Sequence, residues 1–199
     1  SAKYERPSRA ASFRSTPAQN AGSAPVRTTA RTDSSASAAV NAAYDARIRS
    51  RLSAFLAAEE RRSSAEFAVR NVLERFHGAA AKADGKEYFT CLAPDAIFIG
   101  TDASERWTVP QFRAFCEPYF SKGKGWTYHP HDRHVYWYDP ATDVAWFDEK
   151  LDNDKYGHCR GTGICVRTGG EWKLAHYTLS FPVPNDAAAD VVKIIKQFE

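Results

Sequence analysis

Four side chains in this chain could move protons: Asp102, Asp148, Arg160 and His176. A carboxylate can accept a proton, an imidazole can pass one on, and a guanidinium can hold the anion that results. Such a set would suit an isomerase, a cyclase or a hydrolase acting on a small molecule. Strand alternation limits which of them can meet. In the run from Glu171 to Phe181, Trp172, Leu174, His176, Thr178 and Ser180 share one face, while Lys173, Ala175, Tyr177, Leu179 and Phe181 share the other. In the preceding run Arg160 lies with His158, Thr162, Ile164 and Val166. Asp148 lies with Trp146 and Glu149 with Phe147, so only one carboxylate of that pair can face a given pocket. Asp148, or Asp102 from a loop, is the expected base, His176 the shuttle, and Arg160 or Tyr136 the oxyanion stabiliser. The competing expectation makes Arg160 half of a buried structural pair and His176 a hydrogen-bonded core residue.

Other constellations carry less. His129 and His131 share a face that strict alternation denies to His134, which lies with Asp132, so one strand cannot offer three metal ligands. No metal and no cofactor is expected. Cys159 and Cys165 are six residues apart on one extended segment, about 20 Å by strand rise, and cannot bridge each other. All four cysteines (Cys91, Cys116, Cys159, Cys165) lack the C-x-x-C spacing of a zinc module and read as buried thiols in a reducing compartment. Neither glycine-rich phosphate-binding motif is present.

The elements that must position these residues follow from periodicity. Val40, Tyr44, Ile48, Leu52, Phe55 and Leu56 draw an apolar stripe at helical spacing over residues 38–62. Ser63, with Glu66 at capping-box distance, reads as the start of a second helix whose core face is Phe67, Val69, Val72, Leu73, Phe76, Ala79 and Ala80. A short turn of helix follows over Lys86 to Leu92. Ala93 to Asp95 reads as a turn, Ala96 to Ile99 as a strand and Ser104 to Thr108 as a small second strand. Pro110 opens a third helix running to Ser121, with Pro118 predicting a kink or an early end. Four strand segments follow, Trp126–Tyr138, Asp143–Asp152, Tyr156–Arg167 and Glu171–Phe181, joined by turns short enough for an antiparallel meander. Asn185 to Phe198 reads as a terminal helix. Helices first and long strands afterwards argue for an α+β architecture.

The 199 residues suffice for one domain with an extension, and 43% hydrophobic with 13% aromatic content can build a real core. The net charge of +3 is uneven: residues 1–62 hold eleven Lys and Arg against five Asp and Glu, whereas residues 63–199 hold sixteen against nineteen. A slightly acidic folded part is poor material for a nucleic-acid surface, and no apolar run reaches the roughly 20 residues that span a membrane. Residues 1–37 are rich in Ser, Ala, Arg and Pro, and are expected to be an extended basic tail. Its composition resembles an organelle leader, mitochondrial ahead of plastid. Tyr4, Arg6, Arg9, Phe13, Arg14, Arg27 and Arg31 are its candidate partner-binding residues: arginines for carboxylates, aromatics as anchors.

The run G-T-D-A-S-E-R-W at Gly100–Trp107, K-G-K-G-W-T-Y at Lys122–Tyr128, R-G-T-G at Arg160–Gly163 and the ending W-K-L-A…L-S-F-P-V-P-N-D at Trp172–Asp186 resemble the SnoaL-like branch of the nuclear transport factor 2-like superfamily. The resemblance covers about residues 64–198 and implies a cone-shaped α+β fold. In it, helices pack on a strongly curved antiparallel sheet around an open pocket. It also implies that the face carrying the W-x-L-x-H pattern lines that pocket, which would place His176 inside. The superfamily holds both enzymes and non-catalytic assembly domains. The expected organisation is therefore a tail (1–37), a linker helix (38–62) and a SnoaL-like domain (63–199). The expected role is a non-catalytic accessory subunit binding other proteins in a larger, organellar assembly. The alternative is a small-molecule isomerase, cyclase or hydrolase with an acid/base site in the cone.

Overall fold

The computed structural model describes residues 34–139 and 142–198. The tail residues expected to bind partners, Tyr4, Arg6, Arg9, Phe13, Arg14, Arg27 and Arg31, lie outside the described residues. The chain divides into two units after Asp45. The described part of the first, residues 34–45, is helical throughout. The second, from Ala46 onward, contains every other element.

Helix α1 is Ser34–Ala81, so the break expected at Ser63 does not occur. No glycine or proline stands between Ser34 and His77, and Ser63 and Ser64 cost the helix only about a few tenths of a kcal/mol each. Glu66 closes no capping box. It pairs instead one turn onward, where Arg70 Nε donates to Glu66 Oε1 at 2.9 Å. Asp84 caps the short helix α2 (Gly85–Thr90), its Oδ1 accepting from Glu87 N at 3.0 Å. Strands β1 (Leu92–Ile99) and β2 (Arg106–Thr108) lead into α3 (Val109–Phe120). Ala93 to Asp95, expected as a turn, forms part of β1 and coincides with a register shift between Leu92 and Ile97. Gln111 Oε1 closes the start of α3 by accepting from both Thr108 N and Thr108 Oγ1 at 2.9 Å. Pro118 falls in the last turn of α3, and the helix ends two residues later.

Strands β3 (His129–Tyr136), β4 (Val144–Asn153), β5 (Gly157–Thr168) and β6 (Glu171–Ser180) pair antiparallel in sequence, as the short turns require. The sheet as a whole is mixed, with order β2-β1-β6-β5-β4-β3 and β1 parallel to β6. The expected antiparallel meander holds for β3 to β6, and β1 adds a parallel neighbour to it: the hairpin turns fix only their own strands, and β1 joins across a long connection. The terminal helix expected over Asn185–Phe198 is shorter, a 3-10 turn (Asn185–Ala187) followed by α4 (Ala188–Ile195).

One face of the sheet packs against α1, α2 and α3. Val69, Val72, Leu73 and Phe76 of α1 meet Tyr88 and Phe89 of α2, Phe112, Cys116 and Phe120 of α3, and Ala145, Phe147, Cys165, Leu174 and Tyr177 of the sheet. The buried positions of β4 and β5 alternate, with Ala145, Phe147, Glu149 and Leu151 matched by Cys159, Gly161, Gly163 and Cys165. Two bulges interrupt that alternation elsewhere. On β3 the register shifts between His131 and His134, where Asp132 takes a φ of +47°. On β6 Ile164 and Cys165 of β5 face His176 and Leu174, so Ala175 is the extra residue. One added residue turns every following side chain to the other face. Leu174 and Tyr177, three apart, therefore both point into the core.

Candidate functional site

Between the helices and the sheet lies a cavity of about 360 Å³. Its walls are mostly aromatic: Phe76 from α1, Tyr88 from α2, Phe98 from β1, Phe112 and Phe115 from α3, and Tyr177 from β6, with Trp107 and Trp126 from adjoining segments. Phe98 stacks on Phe112 at 4.0 Å and on Tyr177 at 5.5 Å, while Trp107 stacks on Phe115 at 4.7 Å. These rings offer flat apolar surface at fixed spacing, the environment an aromatic ring prefers.

One imidazole enters from the helical side. His77 lines the cavity and is almost fully buried. Its Nε2 lies 2.6 Å from Oε1 of Glu149, a carboxylate with no exposed surface. Two more donors converge on that carboxylate: Arg133 Nε reaches Oε2 at 2.7 Å, and the Tyr177 hydroxyl reaches Oε1 at 3.1 Å. Arg133 is itself buried and also donates to Glu74 Oε1 at 2.7 Å. Burial pushes the Glu149 carboxyl up, but His77 and Arg133 outweigh it and hold the group below its ordinary value. Burial first, then the Glu149 charge, pushes the Tyr177 phenol well above its ordinary value, so it remains a neutral donor. An ionised carboxylate only accepts, so His77 Nε2 donates to Glu149 Oε1. Its Nδ1 makes no hydrogen bond among the described residues.

Each member is placed by a local feature. His77 follows Phe76 on the buried stripe of α1 that also carries Val69, Leu73 and Ala80. The bulge at Asp132 turns Arg133 inward and leaves His134 opposite Asp148 on the outer face. The bulge at Ala175 does the same for Tyr177. Gly161 makes room: a Cβ there would collide with the Tyr177 hydroxyl and approach Glu149 Oε1 to 2.9 Å.

The residues nominated from sequence are placed differently. Asp148 and Arg160 belong to the outer face of the sheet, with Arg160 exposed and Asp148 across from His134. His176 pairs with Ile164 on that same face, because the β6 bulge reverses the alternation on which its inward position depended. Tyr136 is there as well, stacked 6.0 Å from Trp146. Asp102 lies in the connection between β1 and β2, exposed, where Ser104 Oγ and N donate to it and hold its carboxyl below the usual range. None of the five lines the cavity. His131 and His134 share the outer face after all, since the bulge at Asp132 lies between them. The missed signal was His77, a polar residue inside an apolar helical stripe, where an unsatisfied imidazole would be costly.

The model of the SnoaL-like domain matches residues 69–184, more than half of the chain. The chain belongs to the SnoaL-like family. Solved structures agree on the fold of this SnoaL-like domain. A nuclear transport factor 2-like protein of unknown function from Pseudomonas putida KT2440 is 19% identical, with a TM-score of 0.52 over 63% of this chain and 92% of that one. A Nostoc punctiforme domain of unknown function with a cystatin-like fold is 12% identical, with a TM-score of 0.54 over 66% and 85%. A candidate scytalone dehydratase from Novosphingobium aromaticivorans is 10% identical, with a TM-score of 0.53 over 63% and 89%. At these identities the likeness shows the fold alone. No curated protein matches the chain.

Proposed function

We propose that this SnoaL-like domain is a small-molecule enzyme of the isomerase, dehydratase or hydrolase kind, in which His77 takes a proton from the substrate at Nδ1. The observation that carries the reading is the His77–Glu149 pair, 2.6 Å apart, at the wall of an aromatic cavity. Glu149 fixes the ring's orientation and its tautomer, and its negative charge stabilises the imidazolium formed when Nδ1 accepts a proton. Arg133 and Tyr177 keep Glu149 ionised and still. The aromatic walls exclude water and hold a planar substrate against the ring.

The reaction class can be tested without knowing the substrate. The protein, incubated in deuterium oxide with 2-tetralone, a planar ketone with acidic C–H groups, should catalyse exchange at the carbon next to the carbonyl. Proton NMR would follow it. His77→Gln should reduce the enzymatic rate by about a hundredfold or more. Exchange no faster than in buffer, or unaffected by His77→Gln, would remove the proton-transfer reading.

A second reading rests on a separate observation. Ile48, Leu52, Phe55, Leu56 and Phe67 of α1 are each between 47% and 74% exposed, more apolar surface on one helix than a solitary chain ordinarily leaves in water. It supports the accessory-subunit role in a larger protein assembly. Migration on size exclusion of native extract as a free monomer or dimer would sink that role, and migration with a large complex would support it.

A further inference from the structure

We propose that Lys155, at the rim of the cavity, is its anion-binding residue and selects ligands that carry a carboxylate. The proposal rests on the small-molecule reading of the same cavity and adds the chemical class of the ligand. Lys155 is held in place by a turn between β4 and β5. Asn153 Oδ1 accepts from both Lys155 N at 3.0 Å and Tyr156 N at 2.9 Å, and Asn153 Nδ2 ties the turn to Thr127 O at 2.8 Å. Gly157, with φ +69°, completes the turn. Lys155 Nζ donates to the Tyr156 hydroxyl at 3.0 Å and lies 4.7 Å from the centre of that ring, which in turn sits 5.1 Å from Phe181. Lys155, Tyr156 and Phe181 all line the cavity.

Lys155 is the only lysine or arginine among the described residues that line the cavity. No carboxylate stands within ion-pair distance of Lys155 among the described residues. An ammonium has three donors, and Tyr156 takes one, which leaves two for an anion. The hydrogen bond to Tyr156 also holds the amine above its ordinary value, so it stays charged at neutral pH. The other charged side chain of the wall outside the His77 group is Glu105, on the connection between β1 and β2, whose Oε2 accepts from Asp102 N at 3.1 Å. A carboxylate on the ligand is repelled there and attracted at Lys155, so the two charges give the ligand one orientation.

The test compares naphthalene-2-carboxylate with its methyl ester, titrated into the full chain and read by calorimetry and by quenching of Trp107 and Trp126, which line the cavity. The acid should bind about tenfold more tightly than the ester, a margin typical of one charge-assisted contact. Lys155→Met, which keeps the apolar stem, should abolish the preference, and 0.5 M salt should narrow it. Ester binding with no preference for the acid, or a preference that survives Lys155→Met, overturns the proposal and leaves the cavity reading standing. If neither probe binds, the small-molecule reading fails with it.

Discussion

Glu149 is the side chain on which the buried network turns. Replacing it with Gln removes a charge from among three donors and leaves Arg133, buried and cationic, with Glu74 as its remaining acid partner. Breaking a buried pair in this way costs about 3–5 kcal/mol, so Glu149→Gln should lower the denaturation midpoint strongly at pH 7. The pH dependence follows from the direction of the shift. The folded protein holds this carboxyl below its ordinary value of about 4.3, so its contribution is fully present above that value and fades as pH falls through the lower, folded one. The difference in midpoint between wild type and Glu149→Gln should therefore shrink in denaturation series run from about pH 5 down to pH 3; a constant difference would contradict it. Gly161→Ala acts on the same group by volume. Its methyl would drive against the Tyr177 hydroxyl and Glu149, an overpacking cost of about 1–3 kcal/mol that chemical denaturation would read directly.

Helix α1 does two unlike things along its length. Near its end Leu73 is wholly buried among α2, α3 and the sheet, and Leu73→Ala should cost about 2–5 kcal/mol. Earlier, Ile48 and Leu52 are about half exposed. The pair Ile48→Gln and Leu52→Gln should change stability by no more than about 0.5 kcal/mol each. Urea midpoints of the two variants, side by side, separate a core-facing stripe from one left open in the single chain. A large loss from the Gln pair would mean that the early stripe packs within this chain. The periodicity of both segments is equally helical in sequence, and burial alone tells them apart.

Among the described residues the core starts at Val69, since every buried hydrophobic residue there lies from Val69 onward. A chain beginning at Ser63 should therefore fold, with a melting temperature within about 2–4 °C of the full chain, the shift expected of well under 1 kcal/mol. Scanning calorimetry would decide it, and loss of a cooperative transition would show that residues before Ser63 complete the fold. The same truncation separates the two functional readings. Proton exchange by the shortened chain would locate the activity in the SnoaL-like domain, and its failure to enter a large complex would assign that role to the residues removed.

Much of this architecture was legible in the residues themselves. Helical stripes, turn signals and the order of helices before long strands determined an α+β domain, because burying an apolar face of period 3.6 or 2 leaves few alternatives. The motifs at Gly100–Trp107 and Trp172–Asp186 pointed to its family. The side of the sheet on which each polar residue stands was decided only in three dimensions. Alternation assigned Asp148, Arg160 and His176 to candidate chemistry, yet single-residue bulges at Asp132 and Ala175 turned Arg133 and Tyr177 inward and His176 outward. A bulge has a weak local signature, because the extra residue is fixed by pairing with a neighbouring strand and by the fit of the core. The union of His77 with Glu149 lay further out of reach. Seventy-two residues separate them, and what brings them together is the packing of α1 across β4, where a buried carboxylate must find its donors.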